Sequence, residues 1–204
     1  MRSGGWLGQD AQSRRVSSRY NRLAMGREEP DLESLSHERA DLPARTEVEP
    51  ELFREVFGRF ATGVAVITSA GPSGAGGMTA NAICSLSLEP LLTLVCFEND
   101  ARTLPIVRES GRFAVNVLGS TQEEVAGVFA SKLPEAEKLA GIPHTVRRGL
   151  PIIEGTLAWA ACELRELLAG GDHTIGIGEV VAMGLGDGQP LLWYGGRYHA
   201  GRLD

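Results

Sequence analysis

GMTANAICSLSLEP, residues 77 to 90, is the stretch on which the reading of this chain turns. Its Thr79, Asn81, Ser85 and Ser87 stand at even spacing, so an extended chain would turn all four to one face. Small hydrogen-bonding side chains without bulk suit the wall of a flat heteroaromatic ring with a polar edge. An ordinary solvent-facing strand carries the same pattern, and spacing alone does not separate the two.

Outward from that stretch, β-branched and apolar runs recur between turn residues. Val64 to Thr68 (VAVIT), Leu91 to Phe97 (LLTLVCF) and Phe113 to Leu118 (FAVNVL) read as strands, as do Leu157 to Leu167, Thr174 to Met183 and Leu191 to Tyr194. The Gly-rich segment GPSGAGG, 71 to 77, reads as a hairpin turn between VAVIT and an extended run from Met78 to Leu88. It is no phosphate loop, because no helix follows it and the GK[ST] ending is missing. Helical spacing of Leu52, Phe53, Val56, Phe57 and Phe60 predicts a helix with one apolar face, ending near Gly63. A short helix is expected over 102 to 110, closed at Gly111, and another from Thr121, where Thr121 and Glu124 have capping-box spacing. Residues 131 to 143 read as a loop. Many short strands with small helices between them predict a mainly β fold, a closed antiparallel or Greek-key barrel.

Residues 1 to about 46 differ in kind: rich in Arg, Glu, Ser and Gly, they read as a disordered extension, or as sequence upstream of a start at Met25. The folded domain is expected over 47 to 204. With 204 residues, 43% of them hydrophobic and 23% charged, the chain has the make-up of one globular domain. A net charge of -6 argues against nucleic-acid or anionic-membrane partners. No apolar run approaches the ~20 residues of a membrane span, and no secretory signal opens the chain, so a cytoplasmic protein is expected.

Few residues carry obvious chemistry. Cys84, Cys96 and Cys162 are far apart and odd in number, which fits buried free thiols rather than a disulfide framework or a metal knuckle. The histidines at 37, 144, 173 and 199 show no metal-ligand spacing. Asn99, Asp100, Arg102 and Thr103 fall at a strand-to-helix junction, where backbone N–H groups and a guanidinium suit a phosphate; a plain N-cap with a surface Arg has the same look. His173 stands in GGDH, 170 to 173, at the entrance to a strand, where its ring can reach a cleft or simply meet water. Asp172 beside it is expected to point away, and no GxSxG elbow occurs, so a hydrolase triad is not supported. Trp193 to Tyr198 (WYGGRY) sets aromatics around a tight turn.

Taken in order, RFATGVAVIT, GMTANAICSLSLEP, LTLVCFENDARTLPIV, SGRFAVNVL, PIIEGTLAWAACEL, GGDHTIGIGEV and LLWYGGRY resemble the flavin reductase family of the FMN-binding split-barrel fold, over roughly residues 50 to 199. The likeness is to the reductase components of two-component flavin monooxygenases. The resemblance implies that the isoalloxazine edge lies along Asn81, Ala82, Ile83, Cys84 and Ser85, with Ser87 and Leu88 near the ribityl chain. It places the phosphate by Arg102 and Thr103, Lys132 near the phosphate or adenine end, His173 by the nicotinamide ring, and Tyr198 on that same side. It further implies NADH or NADPH as donor, FMN or FAD as a diffusible acceptor, a homodimer, and a separate monooxygenase as the consumer of reduced flavin. Two other readings stand beside this one: a flavin-binding module without a nicotinamide site, and an oxidase of the pyridoxamine-phosphate type, for which no set of Arg and Lys residues can be matched.

Overall fold

The computed structural model describes residues 48 to 202; the extension expected over residues 1 to 46 lies outside them. Seven strands form the main sheet: β2 (Ala65–Gly71), β3 (Gly74–Ala80), β4 (Ile83–Leu88), β5 (Leu91–Glu98), β6 (Arg112–Val117), β9 (Ala158–Gly170) and β10 (His173–Leu185). Their order is β3-β2-β6-β9-β10-β5-β4, with every pairing antiparallel. The two end strands of this sheet, β3 and β4, are consecutive in sequence and joined only by Asn81 and Ala82. So short a link forces the opposite edges together, and the sheet curls into a barrel left split between β3 and β4. The Cys96 amide donates to the Ala82 carbonyl (3.0 Å) at the mouth of that split.

Curling needs bends in the long β9–β10 ribbon, and its ladder shifts register between Ile177 and Gly178 and again between Val180 and Ala182. At the first shift a Cβ on Gly178 would stand 2.5 Å from Phe113 Cζ, so the missing side chain is what lets that ring lie flat in the core. VAVIT feeds two cores at once. Ala65 and Ile67 join Val95, Phe97, Val107 and Phe113 inside the barrel, while Val64 and Val66 face Leu118, Phe129 and Leu191 outside it.

The remaining elements close the ends. A small sheet of β1 (Thr62–Gly63), β11 (Leu191–Tyr194) and β12 (Arg197–Ala200) carries WYGGRY as a hairpin, whose Gly195 and Gly196 take φ of 58° and 79° as a two-residue primed turn demands. A two-stranded ribbon is formed by β7 (His144–Arg147) and β8 (Leu150–Ile153). Helix α1 (Pro50–Gly58) opens the domain with Pro at its start. Helix α2 (Thr103–Ser110) ends, as expected, on Gly111 at φ 64°. Helices α3 (Glu123–Ala130) and α4 (Glu135–Ala140) follow. None of these helices is long and apolar enough to cross a membrane.

Four expectations change. The turn inside GPSGAGG is only Pro72–Ser73; Gly74 to Gly77 belong to β3, where a Cβ on Gly77 would meet the Phe129 ring at 2.8 Å. Gly76 and Gly77 answer crowding, while Gly74, at φ 122° in open space, serves the turn. Thr121 and Glu124 form no capping box, since Gln122 takes the N-cap position and its Oε1 accepts the Gly119 amide instead. The expected loop over 131 to 143 contains α4. The helix read as ending near Gly63 stops at Gly58, with Thr62–Gly63 paired in β1, and its apolar face is uncovered in the single chain, with Phe57 61% exposed.

Candidate functional site

Because the chain crosses the split at Asn81–Ala82, the residues of the 77–90 stretch do not share one strand face. Thr79 lies on β3, Ser85 and Ser87 on β4, and a register shift between the last two breaks the alternation once more. What they share is a row of cavities along the split. The first, of about 670 Å³, is lined by Asn81, Ile83, Cys84, Ser85, Ser87 and Leu88, facing Phe60 to Ala65 across the opening. The second, of about 190 Å³, lies between Thr79, Asn81, Trp193 and Tyr198. The third, of about 530 Å³, has Thr79, Arg102, Thr103 and Lys132 in its wall. Asn81 borders the first two and Thr79 the last two, so the row is continuous. Ala82 sits in the split itself, outside both flanking ladders.

The walls differ in chemistry. Behind the polar rim of Asn81, Ser85 and Ser87 the first cavity is apolar, with Leu92, Val115, Val117 and Ala160 at its floor. Asn81 Nδ2 donates to Thr62 Oγ1 (3.2 Å), tying the rim to β1. In the second cavity Trp193 and Tyr198 pack edge to face, ring centres 4.9 Å apart. Burial first, and then the nearby Glu123 charge, push the Tyr198 phenol above its ordinary value.

The third cavity is charged. Helix α2 starts at its edge with no side chain capping the first turn, which leaves the helix start open to an anion. Arg102 donates through Nη2 to the Lys132 carbonyl, joining the two expected cations through the backbone. Thr103, 1% exposed, donates its hydroxyl to Glu135 Oε2 (3.1 Å), which also accepts the Gly77 amide (2.7 Å). Glu135 Oε1 pairs with Lys138 Nζ at 2.8 Å, and that ammonium reaches the Gly77 and Phe129 carbonyls as well. Sequence reasoning missed Glu135 and Lys138 because they fall in the segment read as loop; their i, i+3 spacing after Pro134 was the available signal. Thr79 is also engaged, donating to the Ala126 carbonyl (2.6 Å).

His173 stands apart from this row but next to it. It opens β10 directly opposite Glu98, a wall residue of the third cavity. Contrary to expectation, Asp172 does not point away: its Oδ1 lies 2.8 Å from His173 Nδ1. That hydrogen bond first, and the imidazole charge second, hold the Asp172 carboxyl below its ordinary value. A carboxylate accepts from a ring N–H, so this contact engages Nδ1 and leaves Nε2 outside it.

The thiols are free, though only one is fully buried. Cys84 is exposed on the first cavity and Cys96 is partly covered; Cys162 is buried. Burial pushes the Cys162 thiol up to about 12, and burial followed by the Cys84 charge raises Cys96.

The chain is similar to a set of known proteins. The family model described as flavin reductase like domain matches residues 57 to 202. A protein of Rhizobium meliloti (strain 1021) named "Probable flavin reductase" is 40% identical over 136 residues, 66% of this chain and 43% of that one, so this chain spans less than half its length. The reductase subunit HsaB of a flavin-dependent monooxygenase from Mycobacterium tuberculosis (strain CDC 1551 / Oshkosh) is 38% identical over 74% of this chain and 82% of its own. Among solved structures, the NADH:FAD oxidoreductase SgcE6 of Streptomyces globisporus C-1027 superposes with a TM-score of 0.72 at 37% identity, covering 79% of this chain and 99% of that one.

Proposed function

The chain belongs to the flavin reductase-like family, and from that premise we infer that it is an NAD(P)H:flavin oxidoreductase that uses NADH to reduce FMN or FAD and releases the product to a separate flavin-dependent monooxygenase. The observation that carries this reading is the continuous row of cavities, apolar at Ile83 to Leu88 and bearing the Arg102 and Lys132 cations at its far end, which matches a molecule with a flat ring at one end and phosphate at the other. The Thr103 hydroxyl, expected at the phosphate, is buried and committed to Glu135, so only its backbone at the helix start is left for that role.

The residues fit such a guest. A cavity of about 670 Å³ with an apolar floor and a polar rim takes a planar ring system, and the uncapped start of α2 beside Arg102 takes the phosphate. When both guests are bound, the nicotinamide supplies a hydride from C4, which flavin N5 accepts. The backbone of Asn81 to Ser85, running past the split, holds the ring and offers donors where its edge gains negative charge. The exposed Arg102 guanidinium and Lys132 ammonium hold the phosphate end. His173, held by Asp172, presents Nε2 to the nicotinamide, and Tyr198, in the wall of the second cavity, closes the nicotinamide side in this reading. The protein positions two guests and moves no proton of its own, consistent with a first cavity whose lining, among the described residues, holds no carboxylate, imidazole or ammonium.

A second copy of the chain completes the assembly in this reading. Phe60, just past α1, shares the first cavity with Leu88 and Met183, and Leu185 nearby in sequence is 93% exposed. An apolar face of that extent is suited to a partner surface, and covering it closes the flavin site from outside.

The phosphate assignment is tested with Arg102→Ala. Loss of one charge-assisted contact to an exposed anion should raise the flavin KM about tenfold and leave the KM for NADH within a factor of roughly two. Unchanged flavin KM would remove Arg102 from the site.

A further inference from the structure

We propose that Asn99 is the positioning residue for His173, locking the turn that carries it to the junction that leads into the third cavity. This inference rests on the role given above to His173. Asn99 follows directly on β5 and meets the β9–β10 turn through three separate hydrogen bonds. Its backbone amide donates to the Asp172 carbonyl (3.1 Å). Its Nδ2 donates to the Gly171 carbonyl (3.1 Å), and its Oδ1 accepts the hydroxyl of Thr174 (2.7 Å).

The three partners are the residues around His173 on either side: Gly171 and Asp172 before it and Thr174 after it. Gly171 takes φ 75°, so the turn is tight, and the ladder on its two sides already pairs His173 with Gly170 and with Glu98. Ladder pairing fixes the strand direction but leaves the tip of a hairpin free to rock. The Asn99 side chain removes that freedom, because a planar amide bonded at both ends spans the tip from Gly171 to Thr174. The Asp172 carboxylate, which orients the imidazole, hangs from the same tip.

The other side of Asn99 leads within four residues to Thr103, through Asp100, Ala101 and Arg102 in the wall of the third cavity. The residue that aims the imidazole is thus anchored on the segment that receives the phosphate. This also reassigns Asn99: its amide is committed to the hairpin and is not one of the groups that meet the phosphate. The composition of the segment hid this, since an Asn ahead of a helix is also a plausible cap.

The test is a double-mutant cycle in the full-length chain, with steady-state NADH oxidation and flavin affinity by fluorescence as readouts. In Asn99→Ala the KM for NADH should rise about five- to tenfold, the effect of losing two side-chain hydrogen bonds, with the flavin Kd within a factor of roughly two. Asn99→Asp, which keeps the acceptor for Thr174, should fall between wild type and Asn99→Ala. Combined with His173→Ala, Asn99→Ala should add nothing further. If the two effects multiply, or if Asn99→Ala leaves KM unchanged while His173→Ala raises it, Asn99 does not act through His173 and the proposal fails alone. If His173→Ala itself leaves KM and kcat for NADH unchanged, the role of His173 falls and this inference falls with it.

Discussion

Replacing Lys138 with methionine removes the ammonium from a pocket in which it is 4% exposed and leaves the Glu135 carboxylate without its charged partner. At 2.8 Å, with an effective dielectric constant near 20, the gross attraction is about 6 kcal/mol, most of which the desolvation of both ions offsets. Breaking one side of such a pair typically costs about 3–5 kcal/mol, because the surviving charge stays buried. Here the low end applies, since Glu135 keeps hydrogen bonds from the Gly77 amide and the Thr103 hydroxyl. A loss of about 3 kcal/mol is expected, which lowers Tm by roughly 6–12 °C for a domain of this size. Adding Glu135→Gln to Lys138→Met removes the stranded charge and should recover about 1 kcal/mol or more. Urea denaturation of wild type, both single variants and the double variant measures the cycle. A Lys138→Met variant within ~1 kcal/mol of wild type, or a double variant worse than the two singles combined, would refute the account of this pair as a buried and coupled strut.

Two further outcomes follow from exposure. Phe57→Glu, placed on the uncovered face of α1, tests the proposed pairing of two copies: analytical ultracentrifugation should find a dimer for wild type and a monomer for the variant, and a monomeric wild type or an unchanged mass would show that this face is not a contact. Among the thiols, Cys84 should react with a disulfide reagent in the folded protein, whereas Cys162 should react only on unfolding. Since folding holds the Cys162 proton past its ordinary value of 9.0 up to about 12, its contribution to stability is intact below pH 9 and declines as pH rises from there. Rapid labelling of Cys162 in the native state at pH 8 would contradict its burial.

How much of this was legible in the sequence depended on whether a signal was local. VAVIT, the Gly111 stop of α2 and the WYGGRY hairpin are local statements, and each appears as read. Gly76 and Gly77 misled because glycine marks turns by its freedom, whereas there it answers the crowding of Glu135, Ile106 and Phe129 against β3; Gly74, at φ 122° in open space, does serve the turn. The β7–β8 ribbon turns at Arg148 and Gly149, both at positive φ; β7 is polar and mostly exposed, and β8 is a four-residue apolar run with Pro151 inside it, too short to declare itself as a strand. Helix α4 is too short for a period to show. Within the site, the rim residues Asn81, Ser85 and Ser87 were picked out, but on the wrong geometry: barrel closure, not strand alternation, brings them together. Glu135 and Lys138 themselves stand at i, i+3, but the tie from Glu135 to Thr103 and the Asn99 brace join residues 32 to 75 positions apart, which no spacing rule exposes.

The most direct test of the central claim is NADH oxidation by the purified chain in air, followed by nicotinamide absorbance, with FMN, with FAD, and with no added flavin. The account predicts turnover that appears only when flavin is added and saturates with it. Tight flavin binding without any NADH or NADPH oxidation would contradict it and mark the barrel as a flavin-binding module instead.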